Sequence, residues 1–183
     1  MKYFVSKQLS SGLFLLLLAL SVYADSIYQQ PEEFIAEIFA DNIPEKQVLW
    51  VTTEVRDEAR TVLGHELTGL RIRYWQAGSR TAWILDEIGK DKPITTGIVI
   101  NDATIEIIKV LVFRESRGWE VKHPFFTDQF IGARTASDNR LDRNIDGITG
   151  ATLSVQALQR QAKLALLLSR YTNSTNSNEA ESL

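Results

Sequence analysis

The chain has 183 residues, 44% apolar and 23% charged, with 20 Lys and Arg against 23 Asp and Glu. This is the balance of one globular domain with ends, and it excludes wholesale disorder, collagen and a polytopic membrane protein. A net charge of −3 offers no basic excess for nucleic acid, so none is expected as a partner, and zero cysteines exclude disulfides, thiolate-held metals and clusters, c-type haem and a lipidated anchor.

Residues 1–24 have the three parts of a secretory signal. Lys2 and Lys7 lie ahead of an uncharged run of eleven residues, 12–22, and Val22-Tyr23-Ala24 precedes Asp25. At 1.5 Å per residue the run covers roughly 16 Å, well short of the ~30 Å hydrocarbon core. A cleaved signal and a periplasmic mature chain are therefore expected. The alternatives are an uncleaved anchor and a buried helix.

Residues 31–40 read as a helix. Pro31, Glu32 and Glu33 suit its first turn, and Phe34, Ile35, Ile38 and Phe39 form an apolar stripe. Residues 52–63 read as a second helix, with Thr52 or Thr53 as N-cap and Gly64 as stop. Alternation then predicts strands over 70–75, 81–88, 94–100 and 104–113, with turns at Gly78-Ser79 and Asn101-Asp102. Arg71 and Arg73 fall on the exposed side, and Trp50, Trp75 and Trp83 are expected in the core. His65, just past a helix stop, suits a helix-end cation. Residues 124–131 suggest a short helix or turn. The clearest helix is 152–168, where Val155, Leu158, Ala162, Ala165 and Leu168 share one face. From Tyr171 the chain turns polar, and 171–183 is read as a disordered tail. The fold class is α+β: a small antiparallel sheet with packed helices.

Two histidines, and three acids (Asp138, Asp142, Asp146) at a spacing that matches no calcium loop, leave no metal site expected. The informative loop is Asp146-Gly147-Ile148-Thr149-Gly150-Ala151-Thr152-Leu153-Ser154, which leads into the last helix. Its glycines permit a tight turn, and Thr152 falls where free N–H groups and the positive helix end favour phosphate. Taken alone, the pattern also fits an ordinary capped turn.

The segment Asp146-Gly147-x-Thr149-Gly150-Ala151-Thr152 resembles the flavinylation motif of the FMN-binding domain family, found in the periplasmic flavin subunits of the Rnf and Nqr complexes. Three further segments are similar to that family in the same order: residues 96–100 with 105–112, Glu115-Ser116-x-Gly118, and 126–132, FTDQFIG. The resemblance implies an FMN-binding core over 94–170, with 25–93 as an accompanying helical and β part. It implies FMN joined through its phosphate to Thr152 by a separate flavin transferase. Asp146, Gly147, Thr149, Gly150 and Ala151 would surround it, along with Glu115, Ser116 and Gly118. Ser116 stands where the family usually has Thr. Arg117-Gly118-Trp119-Glu120 departs from a usual Pro-Gly-Leu-Gly, so Trp119 is either a stacking partner of the flavin ring or a core or rim residue. Glu115 either holds a loop through backbone N–H bonds or is a solvated strand end. Lys122 or His123 could sit near the ring or on the surface.

The implied role is an exported electron carrier working with membrane or periplasmic redox proteins, rather than an enzyme with its own substrate or catalytic residues. Any membrane association would come through partners or an uncleaved signal. The alternatives are a non-covalent FMN module for assembly or sensing, and a flavin reductase. The lack of a G-x-G-x-x-G fingerprint counts against the reductase.

Overall fold

The computed structural model describes residues 25–180, with side chains through 173. The expected signal lies outside the described residues. The elements are β1 (Ser26–Ile27), α1 (Pro31–Phe39), β2 (Lys46–Trp50), α2 (Thr53–Leu63), β3 (Arg71–Ala77), β4 (Arg80–Ile88), β5 (Pro93–Asn101), β6 (Thr104–Phe113), α3 (Pro124–Thr127) and α4 (Thr152–Ala180), with 3-10 turns at Trp119–Lys122 and Asp128–Phe130. The six strands form one sheet in the order β1-β6-β5-β4-β3-β2. Every neighbouring pair is antiparallel, so the fold is α+β as expected. The sheet runs without a break across residue 93, uniting the two parts read from the sequence.

Each face of the sheet is covered by the helices whose stripes fit it. On one face, Val55, Ala59, Val62 and Leu63 of α2 and Val155, Leu158, Ala162, Ala165 and Leu168 of α4 pack on Trp83, Leu85, Ile98, Ile105 and Ile108. On the other, Phe34, Ile35 and Ile38 of α1 pack on Ala82, Val99, Leu111 and Val112. Gly97 makes the second contact possible: a Cβ there would lie 2.5 Å from the Phe34 ring. Helix α2 starts as its sequence predicts. Thr52 Oγ1 accepts the Val55 N–H at 3.3 Å, and Gly64 closes the helix in the left-handed region.

Helix α4 is locked to the sheet by a polar side chain. Gln161 is fully buried, and its amide donates to the Leu85 carbonyl at 3.0 Å and the Ile94 carbonyl at 2.7 Å, one on each of two adjacent strands.

Several expectations need correction. The β5–β6 turn residues are Asp102 and Ala103, both with positive φ, one position beyond the expected pair. The expected start of the first strand, Leu70, lies outside β3 and is exposed. Two strands, β1 and β2, were not read from the sequence. Trp50 is 62% exposed on the edge strand β2 rather than in the core, and Trp75 is half-buried under the Lys46 ammonium. The disordered tail does not begin at 171: α4 continues to Ala180, Thr172 is buried, and Tyr171 donates to Glu58 at 2.7 Å. Burial, reinforced by that carboxylate, pushes the Tyr171 phenol up to about 12.

His65 pairs across to the sheet instead of capping its helix. Its Nε2 lies 3.0 Å from the buried Glu87 carboxylate, which Arg160 also engages at 2.9 Å. The Glu66 carbonyl on Nδ1 and then Glu87 hold the imidazole above its ordinary value. A raised folded value stabilises fully below the unfolded value, and the contribution is lost as pH rises through the folded one. The melting-temperature advantage of the wild type over His65→Gln is therefore expected to be largest at mildly acidic pH and to shrink as pH rises past that window. A difference that does not change with pH would contradict this pairing.

Candidate functional site

The loop before α4 ends in a turn that sets the geometry of the site. Gly150 has φ +83, and a Cβ there would meet nothing within 4 Å, so it is required for its backbone conformation and not for close packing within the protein. The Ala151 N–H donates to the Ile148 carbonyl at 3.0 Å, and the Val155 N–H to Ala151 at 2.9 Å. Ala151 therefore stands at the cap, leaving the N–H groups of Thr152, Leu153 and Ser154 without an intrahelical acceptor. Of the two hydroxyls in this first turn, Thr152 is exposed and Ser154 is buried.

Ser154 is covered by the Glu115-Ser116-x-Gly118 segment. Gly118 has φ +85, and a Cβ there would lie 2.4 Å from Ser154 Oγ and 3.4 Å from the Ala151 methyl. This close approach joins two motifs 36 residues apart in sequence, and residues of both line a cavity of about 530 Å³. That size falls within the range of small-molecule sites. Lys90, Glu115, Ser116, Arg117, Gly150, Ala151, Thr152, Leu153 and Ser154 line it.

Glu115 is a loop holder and not a solvated strand end. One carboxylate oxygen accepts the N–H groups of Lys90 at 2.5 Å, Asp91 at 2.7 Å and Lys92 at 2.9 Å. Burial raises this carboxyl, but the three donors outweigh it and hold the group below the ordinary carboxylate range. The loop it holds is the β4–β5 turn, which carries Lys90 to the cavity wall.

Asp146, Gly147 and Thr149 are exposed and do not line the cavity. Asp146 is tied to the FTDQFIG segment instead: its N–H donates to Gln129 Oε1 at 2.7 Å, and Phe126 and Phe130 anchor that segment in the core. Trp119 is 47% exposed, so it is not a core residue, and it does not line the cavity. Its ring meets His123 edge-on at 5.4 Å, while Lys122 lies over the Tyr28 ring at 4.1 Å and the Trp119 ring at 5.2 Å. Lys90 and Arg117, the two cations of the cavity, were missed in the sequence, because a lone Lys or Arg in a turn has no signature. Asp138 pairs with Arg140, and Asp142 with Arg143 and the Arg134 N–H. Among the described residues no cluster of His, Asp or Glu is arranged to hold a metal, and no helix is long and apolar enough to cross a membrane.

The family model of the FMN-binding domain matches residues 89–167. Residues 89–167 are an FMN-binding domain. The match begins at the Gly89 turn held by Glu115 and ends on α4, so it contains the whole cavity wall. The domain binds FMN, and the chain is a flavoprotein. No curated protein and no solved structure gives a significant match.

The residues present suit the phosphate end of that cofactor. The three free N–H groups lie at the positive end of a long helix, and Thr152 shares the cavity with two cations, Lys90 and Arg117. Gly118 is the most demanding position in this wall. Gly118→Ala is expected to cost about 1–2 kcal/mol from the left-handed backbone alone, plus the displacement of Ser154. Gly150→Ala pays only the backbone part. Urea unfolding of the two variants should rank Gly118→Ala as the less stable, and equal losses would mean that the Gly118–Ser154 contact carries no weight.

Proposed function

We propose that FMN is held as a phosphoester on Thr152 and that the chain is an exported electron carrier. The observation that supports attachment most directly is the contrast within one helical turn: both hydroxyls line the cavity, but Thr152 is exposed while Ser154 is buried against Gly118. In the ester the Thr152 oxygen bonds to the FMN phosphorus and its proton leaves, while the phosphoanhydride bond of a flavin–nucleotide donor breaks and the nucleoside monophosphate departs. A separate flavin transferase would supply the flavin and catalyse the step. When bound, FMN supplies the capacity to accept and release electrons. Helix α4's first-turn N–H groups, Lys90 and Arg117 bind and orient the phosphate, and Glu115 keeps Lys90 in place.

Export rests on the sequence of residues 1–24, and the redox partners would be membrane or periplasmic proteins. The half-open cavity suits a cofactor whose edge remains accessible to such partners. A non-covalent FMN module for assembly or sensing is the alternative, and the same experiment separates the two.

Co-expression with a flavin transferase should give one FMN phosphoester per chain, stable to acid denaturation and located on the Thr152 peptide by mass spectrometry. Thr152→Val should abolish it while retaining the fold. Gly150→Val should also lower occupancy in the folded fraction, because a β-branched residue does not fit φ +83. Flavin released by acid would favour the non-covalent module, and an adduct on Ser154 would overturn the assignment to Thr152.

A further inference from the structure

Away from the flavin cavity, cations gather on a chain whose net charge is −3. Two adjoining cavities lie between residues 134–145 and the middle of α4, and Lys163 lines both. Between them they are lined by Arg134, Arg140, Arg143, Lys163 and Arg170, with Asp142 as the one carboxylate. Three of the five cations are engaged. Arg140 pairs with Asp138, Arg143 with Asp142 and the carbonyls of Ile131 and Gly132, and Arg170 with Glu58.

Lys163 and the Arg134 guanidinium make no hydrogen bond or close ion pair with any described residue, although the Arg134 charge is felt by Asp142. Lys163 is also partly buried, and burial, with Arg160 nearby, lowers its ammonium below the ordinary value. Partial removal of an unpaired ammonium from water is unfavourable, and an anion meeting it would offset the loss. The larger cavity, about 490 Å³, is also apolar in part, with Val62, Ala103, Ala136, Leu166 and Leu167 in its wall.

We infer that this cleft binds a small amphipathic anion, its head on Lys163 and Arg134 and its apolar body against Val62, Leu166 and Leu167. The site is separate from the flavin. Lys163 lies eleven residues beyond Thr152, or roughly 16 Å along the helix axis. The chemistry required is an anionic head on an apolar chain, which a free organic acid and a lipid share. The cleft is shaped for the free acid: its apolar residues lie in a concave wall and not on a projecting face.

Octanoate is the probe, titrated calorimetrically into the full chain, with 1-octanol as the neutral control and phosphatidylglycerol vesicles as the lipid arm. The expected result is octanoate binding in preference to octanol, weakened about tenfold by Lys163→Met and by Arg134→Gln, and restored by Lys163→Arg. Thr152→Val should leave it unchanged. The two separate variants guard against a folding defect in either. Equal octanoate affinity in wild type and both variants would overturn the site. Binding to vesicles alone would overturn the small-ligand reading in favour of a lipid contact.

Discussion

The position of α4 on the sheet is the constraint from which the functional geometry follows. Apolar packing presses a helix onto a sheet but specifies its register weakly, because one leucine can replace another along the stripe. Gln161 removes that freedom. Its amide donates to carbonyls on both β4 and β5, and sliding the helix by one residue would leave those buried donors unpaired, at a cost of about 1–3 kcal/mol. With Gln161 fixed, Thr152 stands nine residues earlier, so the first turn sits at a set distance along the sheet. Gly118 then packs on Ser154, which holds the 115–118 segment against that first turn, and residues of both line the cavity.

The parts of the fold legible in the sequence are those whose signals are local. The stripe of α4 from Val155 to Leu168 and the Thr52 and Gly64 caps of α2 depend on spacing within one helix, and all hold. Strand β2 was invisible because it is an edge strand whose residues are exposed or only half-buried, so no clean alternation of apolar and polar survives. Strand β1 is two residues long and exists only through its pairing with β6. The tail was misjudged for a related reason. Tyr171 and Thr172 sit in a polar stretch; Tyr171 is held by Glu58 of α2, 113 residues away, and Thr172 by the Ser169 carbonyl. The turn moved by one residue because Ala103 adopts positive φ, a conformation that its side chain disfavours and that composition therefore hides.

The site was legible to the extent that motifs carry it. The loop 146–154 and the segment 115–118 were both marked, yet their mutual contact was not, since nothing in either string says that Gly118 lies on Ser154. Glu115 illustrates the same limit. A lone acid at a strand end has two ordinary readings, and only the three N–H groups of the 90–92 turn decide between them. Lys90 enters the cavity as a consequence: the carboxylate that folds the turn also fixes the side of the sheet end on which that cation lies.

The way charge is distributed along α4 completes the argument. An acidic chain would ordinarily repel a phosphate, and the protein offsets this by concentrating positive potential at two places on one helix. At the N-terminus the potential comes from the backbone, with Lys90 and Arg117 added. This arrangement is short-ranged and screened by solvent, so it orients a phosphate better than it retains one. On the proposed reading the ester to Thr152 resolves that mismatch, because a covalent bond removes dissociation and leaves the N–H groups and cations only the task of orientation. The cofactor can then be retained without a deep pocket, which would leave its edge accessible to a redox partner.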